Sequence, residues 1–335
     1  MAGSVVTAVS SYLPDRVLTN DELSAIFPEW SPAKILRKTG ILERRIAAED
    51  ETASDLGVRA AQKLLERECI DPSSVEFLIF CSQSPDYFLP TTACIIQERL
   101  GLAKTIGAFD INQGCSGFVY GLSVANGLIE SGAVKNVLLI TADTYSKFIN
   151  HRDRSVRSLF GDAAAATFIA ASDQNSQIGN FVFGTDGSGS ENLIVPAGGL
   201  RLSSAPVATV ADQFGNHRSP FNLYMNGSEV LSFSLQQVPH IVRRVLKLAA
   251  LNENNVDYYL FHQANKFMLD ALIKKLNLPN EKVPRYGELT GNTVSSTIPL
   301  LLEDMILNSR IKPGVKLLLC GFGVGYSCAG CTLDF

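Results

Sequence analysis

The sequence lacks the features that would point to nucleic acid, a membrane or export. Its 335 residues carry a formal net charge of −4 and contain no run of lysine and arginine, whereas a surface for nucleic acid or anionic lipid needs a basic stripe. No apolar run reaches the roughly 18 residues that cross a bilayer, and the chain does not begin with a basic segment followed by a long apolar one. We therefore expect a cytoplasmic protein that binds neither nucleic acid nor a membrane.

A disulfide framework is also missing. The number of cysteines is odd and most of them lie in apolar runs, which is typical of reduced thiols. Cys328 and Cys331 have the spacing of a redox or zinc pair, but no second pair and no nearby histidine accompanies them, so we expect no metal site. The seven cysteines are Cys69, Cys81, Cys94, Cys115, Cys320, Cys328 and Cys331.

The composition is that of an ordinary globular protein, with 46% hydrophobic and 19% charged residues. Its length allows one large domain or two ordinary ones.

One cysteine lies in a turn that suits a nucleophile. Cys115 follows a predicted strand over 105–111 and precedes a predicted buried helix over 118–130. We expect Gly114 and Gly117 to adopt backbone angles that a Cβ would forbid and to keep the approach to the thiol clear. The helix start should favour the thiolate through its dipole and unpaired N–H groups. Cys115 is therefore a candidate nucleophile, and the alternative is a small buried hydrophobic residue.

The second half of the chain repeats the first. This similarity predicts two halves, 1–172 and 173–335, each a mixed sheet with helices on its faces. The matched segments are 75–81 with 256–262, 95–102 with 272–278, 114–116 with 291–293, and 137–140 with 315–319.

Two polar residues occupy strand ends or turns of this repeat. If the halves pack about a pseudo-twofold axis, His262 and Asn292 meet Cys115 at one site. Taken alone, a histidine such as His262 is more often a core residue and an asparagine such as Asn292 more often a turn or cap residue, but their joint placement on the repeat favours a shared site.

Two further segments have a composition that suggests contact with a substrate or a partner. Residues 196–220 form a long loop rich in Gly, Ser, Ala and Pro, which we interpret as a lid, a substrate wall or a dimer contact. A basic patch near the start of the chain is either a solvated face or a phosphate contact. Its members are Lys34, Arg37, Lys38, Arg44 and Arg45.

Five motifs in their order make the chain resemble the thiolase-fold condensing enzymes, and most of all the β-ketoacyl-acyl-carrier-protein synthase III group. The resemblance runs essentially end to end. It implies an α/β, thiolase-like fold in which two pseudo-twofold-related mixed-sheet halves form αβαβα layers. The motifs are Gly114-Cys-Ser-Gly117, Phe160-Gly-Asp162, His262-Gln-Ala-Asn265, Gly291-Asn-Thr293 and Phe322-Gly-Val-Gly-Tyr326.

The same resemblance implies an activity. Cys115 takes an acyl group from an acyl-CoA, and malonyl-acyl-carrier-protein then condenses with it and loses carbon dioxide, in a fatty-acid or polyketide-like pathway. Neutral His262 and Asn292 donate hydrogen bonds to the enolate oxygen, while the N–H groups of Cys115 and Val324 hold the acyl oxygen. The coenzyme A thioester is a substrate, no cofactor is implied, and the enzyme is a homodimer.

The resemblance also implies substrate contacts. Lys38 and Arg154 correspond to coenzyme A contacts, Leu89 to a gate that the partner subunit supplies, and Lys266 to a residue that faces the carrier protein. Gly227 and Asn265 correspond to further substrate-binding positions.

There are also departures from the family's pattern. Lys34 stands where an adenine-stacking aromatic is usual, with Trp30 four residues earlier, and Val324 replaces a glycine. Leu89 replaces a phenylalanine, so we expect a deeper channel and a preference for medium or branched acyl groups.

Three other functions compete with this interpretation. An acyltransferase would pass the acyl group from Cys115 to an alcohol or amine without decarboxylation. A thiolase proper would need a second cysteine as base, and Cys320 lies slightly too early for that position. A scaffold without activity would have no need of all three of Cys115, His262 and Asn292.

Overall fold

We describe the protein from a computed structural model that covers residues 3–173 and 177–335. Residues 1–2, at the start of the predicted first half, and 174–176, in the predicted second half, lie outside the described residues. The strands are β1 (Gly3–Tyr12), β2 (Arg16–Thr19), β3 (Glu43–Ile46), β4 (Phe77–Cys81), β5 (Gly107–Ile111), β6 (Asn136–Asp143), β7 (Ala163–Ser172), β8 (Ile178–Thr185), β9 (Leu193–Ile194), β10 (Val210–Ala211), β11 (His217–Arg218), β12 (Tyr224–Met225), β13 (Tyr258–Phe261), β14 (Lys316–Gly323) and β15 (Ser327–Asp334). The helices are α1 (Asn20–Ile26), α2 (Pro32–Thr39), α3 (Ala53–Arg67), α4 (Thr92–Arg99), α5 (Gly117–Glu130), α6 (Arg154–Arg157), α7 (Gly227–Leu248), α8 (Lys266–Leu276) and α9 (Thr297–Leu307).

Two large mixed sheets organise these elements, with strand orders β1-β7-β6-β4-β5 and β13-β14-β15-β8. In the first, β4 and β6 are parallel, and β7 and then β1 follow antiparallel. In the second, β13 and β14 are parallel, and β15 and then β8 follow antiparallel. This matching order confirms the predicted pair of related mixed sheets. Only β5 has no counterpart, because the described chain reaches Asn292 without a strand in 283–290.

Helices α5 and α9 form the central layer. Helix α5 contacts β4 and β6 of the first sheet and β14 and β15 of the second, and α9 contacts β1, β7 and β13. The nearly all-apolar sequence of α5 suits a helix covered on both sides. On the outer faces α3 packs on the first sheet and α7 on the second, which gives the expected αβαβα layers.

The strands of the first sheet all lie between residues 3 and 172, and those of the second between 178 and 334. The division into halves 1–172 and 173–335 is compatible with this arrangement and stays a prediction.

Cys328 and Cys331 lie on β15 but belong to different hydrophobic clusters, one packed on each face of the sheet. Their side chains therefore do not converge on a common ion. Within 3–173 and 177–335, no helix is long and apolar enough to cross a membrane.

Candidate active site

Cys115 lies just before α5, with its side chain 5% exposed, where the turn presses against β14 of the other sheet. A Cβ on Gly321 would lie 2.6 Å from the Cys115 carbonyl oxygen, and one on Gly323 would lie 2.8 Å from the Cys115 sulfur. Two glycines of β14 thus make room for the cysteine turn.

Gly114 and Gly117 are required for space and not for unusual backbone angles. Neither has a positive φ, so the prediction of forbidden angles is wrong. A Cβ on Gly114 would lie 2.5 Å from Val324 Cγ1, and one on Gly117 would overlap the sulfur of Cys81. The two glycines therefore do allow a close approach, but the groups that approach the turn are other side chains of the protein.

The thiol of Cys115 is held in its protonated form. Burial, and next the charge of Asp143, raise the pKa of Cys115 to about 12, although the backbone N–H groups of Val324 and Cys115 act in the opposite direction. The expectation that the helix start would favour the thiolate is therefore wrong, because desolvation outweighs the backbone. Both N–H groups nevertheless lie beside the sulfur, where an acyl oxygen would develop charge. Their role as an oxyanion hole stays a prediction.

His262 follows β13 directly and is almost fully buried. Burial lowers the pKa of His262 to about 3, so the ring is neutral. Its Nδ1 lies 2.7 Å from Thr297 Oγ1, and its ring meets Phe322 edge-on at 5.5 Å. A neutral imidazole carries one N–H, so the partner of Nδ1 decides whether Nε2 can donate.

Asn292 is fixed from three sides. Its N–H donates to Leu159 O at 2.9 Å, its carbonyl oxygen accepts from Gly161 N at 3.0 Å, and its Oδ1 accepts from Val294 N at 3.0 Å. Because Oδ1 already accepts a hydrogen bond from Val294 N, the side-chain NH₂ is the group of Asn292 that can donate a hydrogen bond to a ligand.

A buried guanidinium lies behind this turn. Arg44 is completely buried, and its Nε donates to Ser158 O at 3.0 Å while Nη1 donates to Asn20 Oδ1. Burial lowers the pKa of Arg44 to about 9. Arg44 is therefore not part of a basic surface patch, and that part of the expectation is wrong. Gly291 permits this packing, since its Cβ would lie 3.0 Å from Arg44 Cγ.

Asp143 ends β6 and connects the cysteine side of the site to the asparagine side. It accepts from the backbone N–H groups of Gln83 (2.8 Å) and Ser295 (3.2 Å) and from the Ser295 hydroxyl. Burial raises the pKa of Asp143 to about 7, with these hydrogen bonds opposing the shift.

One cavity brings the three predicted catalytic residues together. Cys115, His262 and Asn292 all line it, and so do Gly227, at the start of α7, and Asn265, whose side chain caps α8. Lys38, Leu89, Arg154 and Lys266 do not line this cavity.

Lys38 and Arg154 lie at a separate cluster around the single tryptophan. Lys34 Nζ, Lys38 Nζ and the Arg154 guanidinium each lie 5.6 Å from the centre of the Trp30 ring. The 196–220 loop reaches the same place, because Arg154 Nη2 donates to Phe214 O at 2.7 Å.

The remaining two predicted residues are on the surface. Leu89 is 81% exposed and follows the equally exposed Phe88. Lys266 is exposed and pairs with Asp270 at 2.7 Å, one turn along α8.

The sequence analysis did not single out Thr297, Asp143 or Gly321, although it included Gly323 in the closing motif. Thr297 and Asp143 act on residues far along the chain, and only the alternation of glycine in Gly321-Phe-Gly323 gave a signal that could have been followed.

A buried thiol in one cavity with two uncharged side chains that can donate hydrogen bonds is the arrangement expected of a thiolase-fold condensing enzyme, and this chain falls in that class.

Comparison with known proteins makes the assignment specific. The family model for 3-oxoacyl-[acyl-carrier-protein] synthase III matches residues 109–187, and the model of its C-terminal part matches 246–335. A β-ketoacyl-[acyl-carrier-protein] synthase III of Chlamydia caviae is 38% identical, covering 96% of this chain and 94% of the relative. The chain belongs to the 3-oxoacyl-[acyl-carrier-protein] synthase III family.

Solved structures agree with this. A crystal structure of a 3-oxoacyl-(acyl-carrier-protein) synthase III is 51% identical with a TM-score of 0.98, covering 99% of this chain and all of that one. The priming β-ketosynthase of the R1128 polyketide pathway is 31% identical with a TM-score of 0.85, covering 99% and 96%.

Proposed function

We propose that this enzyme makes a 3-oxoacyl thioester by decarboxylative condensation on Cys115. The observation that carries the proposal is the single cavity lined by Cys115, His262 and Asn292. It holds a nucleophile and two uncharged hydrogen-bond donors and is lined by apolar side chains as well. Such donors stabilise developing negative charge most strongly where water is excluded.

In the first half-reaction the Cys115 sulfur attacks the carbonyl carbon of an acyl-CoA. The thiol proton is lost, the bond from the carbonyl to the coenzyme A sulfur breaks, and coenzyme A leaves as a thiol. In this proposal the N–H groups of Cys115 and Val324 hold the oxyanion, and the hydrogen bonds by which both lower the pKa of the sulfur support that role. Because burial raises the pKa of the Cys115 thiol to about 12, the thiol carries its proton in the free enzyme and must lose it before or as the bond to the carbonyl carbon forms.

In the second half-reaction malonyl-acyl-carrier-protein loses carbon dioxide and leaves an enolate of the thioester. Asn292 NH₂ and His262 Nε2–H donate to the enolate oxygen, and the enolate carbon attacks the acyl carbonyl on Cys115. The bond to sulfur breaks, and Cys115 regains a proton as the 3-oxoacyl product leaves. This role requires the proton of His262 to be on Nε2, so the Thr297 hydroxyl must give its one hydrogen to Nδ1 at 2.7 Å in preference to Val294 O, which lies at 3.3 Å.

Coenzyme A binds at the Trp30 cluster in this proposal. An aromatic face suits the adenine, Arg154 lies beside the same ring as a second neighbour of the base, and Lys38 supplies positive charge for the diphosphate. Trp30 would thus serve in place of the aromatic that Lys34 replaces, and the 196–220 loop would be a wall of the donor site.

The active unit in this proposal is a homodimer. Strand β5 is an open edge of its sheet, and Phe88 and Leu89 form an exposed apolar tip close to it in sequence. A twofold partner would cover both and receive Leu89 at its acyl pocket. Lys266 lies on the outer face of α8, where the carrier protein would dock.

The test is intact-protein mass spectrometry with a panel of acyl-CoAs, followed by addition of malonyl-carrier-protein. We expect a covalent acyl adduct that Cys115→Ala abolishes, and release of carbon dioxide only when the acceptor is added. Transfer of the adduct to an alcohol or amine without carbon dioxide would overturn the proposal in favour of an acyltransferase. The mutant Cys320→Ala is the matched control, since Cys320 is also fully buried and lies on the neighbouring strand β14.

A further inference from the structure

Strands β10 and β11 form a short hairpin near the end of the 196–220 loop. Asp212 closes the turn between them, because its carboxylate accepts from Phe214 N at 2.8 Å and from Asn216 N at 3.0 Å. Gly215 supplies the positive φ of 79° that the turn needs. The tip of the hairpin is therefore held in one conformation by its own residues.

This tip contacts the Trp30 cluster through Arg154. Arg154 Nη2 donates to Phe214 O at 2.7 Å, and Arg154 Nη1 forms an ion pair with Glu29. Both terminal nitrogens thus have a protein partner, which fixes the plane of the guanidinium 5.6 Å from the centre of the Trp30 ring. The position of Arg154 at the ring therefore depends on the position of the hairpin tip.

Arg218 connects the hairpin to the residue that precedes Arg154. Its Nε donates to Asp153 Oδ2, and its Nη2 donates to Asp212 Oδ2 at 3.0 Å. Asp153 is fully buried and caps α6, since its Oδ1 accepts from Ser155 N at 2.9 Å. The Arg218 side chain is only 16% exposed, so water screens these ion pairs little.

These contacts form a closed ring that begins and ends at neighbouring residues of the chain. The ring passes in order through Asp153, Arg218, Asp212, Phe214 and Arg154. Burial acts against ionisation of Asp212, but the hydrogen bonds within its turn and the charge of Arg218 lower the pKa of Asp212 to about 2. Without the Arg218 charge, the Asp153 and Asp212 carboxylates would lose the cation between them and the ring would open.

We infer that Arg218 is a positioning residue of the donor site: it holds the hairpin against the start of α6, and Phe214 O in turn keeps Arg154 beside Trp30. The inference rests on the proposed binding of coenzyme A at the Trp30 cluster. Arg218 does not line the cavity that contains Cys115. Its effect is therefore on affinity for the nucleotide end of the donor and not on the reaction at the thiol.

The experiment measures the dissociation constant of coenzyme A by calorimetry. It also measures KM and kcat for acylation of Cys115 by butyryl-CoA and by butyryl-pantetheine, which lacks the adenine. The main variant is Arg218→Met, which removes the charge and keeps an apolar stem beside the Tyr224 ring, 5.3 Å from the guanidinium. Asp212→Asn is a milder variant that weakens the ring of contacts at its more exposed carboxylate.

Arg59→Met is the matched control. Arg59 also pairs with a carboxylate, that of Glu51 at 3.1 Å, and lies over a tyrosine ring, that of Tyr12 at 5.0 Å, but it belongs to α3. We expect this substitution to leave the dissociation constant of coenzyme A unchanged.

We expect Arg218→Met to raise the dissociation constant of coenzyme A and the KM for butyryl-CoA about fivefold or more, as loss of a guanidinium from an aromatic ring should. The kcat and the KM for butyryl-pantetheine should stay close to those of the unmodified enzyme. Asp212→Asn should raise the same two quantities about twofold or more. An unchanged affinity for coenzyme A in Arg218→Met, or an equal loss for both donors, overturns the inference. If Arg218→Met does not fold, an unchanged dissociation constant in Asp212→Asn overturns it.

Trp30→Ala, measured in the same assays, separates this inference from the proposal on which it rests. If Trp30→Ala binds coenzyme A as the unmodified enzyme does, the proposed donor site itself is wrong. If Trp30→Ala weakens binding while Arg218→Met and Asp212→Asn do not, only the role of Arg218 is refuted.

Discussion

Replacing Thr297 with valine should damage decarboxylation while sparing acylation. The hydroxyl of Thr297 lies 2.7 Å from His262 Nδ1 inside a fully buried environment. Valine keeps the shape of threonine and removes the hydrogen bond, so Nδ1 loses its donor and the ring proton is no longer directed to Nε2. The enolate then loses one of its two side-chain donors in a large part of the enzyme population.

The size of the effect follows from the burial. A net hydrogen bond contributes about 1 kcal/mol, and a buried group left without a partner costs about 1–3 kcal/mol. Since 1.36 kcal/mol corresponds to a factor of ten in rate, we expect carbon dioxide release to fall about 10- to 100-fold. The assay is release of labelled carbon dioxide from malonyl-carrier-protein, with adduct formation on Cys115 measured separately by mass.

Thr297→Ser is the matched control, because it retains the hydroxyl and should keep most of the rate. Decarboxylation at the unmodified rate in Thr297→Val would refute the tautomer argument. An equal loss of acylation and decarboxylation would show that the substitution disturbs the whole cavity instead.

Three further predictions follow from other parts of the structure. Trp30→Ala should raise the KM for an acyl-CoA about tenfold but leave the KM for the matching acyl-pantetheine unchanged, because acyl-pantetheine lacks the adenine. An equal rise in both KM values would contradict the proposal that the adenine binds at Trp30. Burial lowers the pKa of His262 to about 3, so between pH 6.5 and pH 3 only the unfolded chain binds this proton. The free energy of unfolding should therefore drop by about 1.4 kcal/mol for each pH unit as the pH falls through this range. The free energy of unfolding of His262→Gln, measured with urea across this pH range, should lack that contribution. If the free energy of unfolding falls equally with pH in both proteins, the prediction is wrong. Leu89→Phe should shift donor preference from medium or branched acyl groups towards acetyl in competition kinetics, and no shift would place the gate elsewhere.

The sequence predicted the architecture and the three central side chains well. Cys115, His262 and Asn292 each end a strand or occupy a turn of a repeat that is visible in the sequence, so their convergence followed from the packing of two similar halves. The bounds of the elements beside the nucleophile also agreed closely: the predicted strand over 105–111 is β5, Gly107–Ile111, and the predicted helix over 118–130 is α5, Gly117–Glu130.

The electrostatics and the supporting contacts could not be predicted in the same way. A helix start indicates a lowered thiol pKa only if the thiol remains hydrated, and the sequence does not say how deeply the second sheet buries Cys115. Thr297 and Asp143 could not be predicted because each acts on a residue that is distant along the chain, His262 for Thr297 and Ser295 for Asp143, and no periodic pattern connects such partners. In the sequence Gln83 looks like an ordinary loop residue, and only the fold shows that its side chain lies beside Gly114.

The two N–H groups beside Cys115 come from opposite sheets, and this has a consequence for how the enzyme matures. Cys115 belongs to the turn after β5, whereas Val324 follows β14, so the pair exists only after the second sheet has docked on the first. If the two N–H groups form the proposed oxyanion hole, a chain at an earlier stage of folding possesses the cysteine but not both donors for the acyl oxygen. Under that proposal, acylation of Cys115 reports that the two sheets have docked.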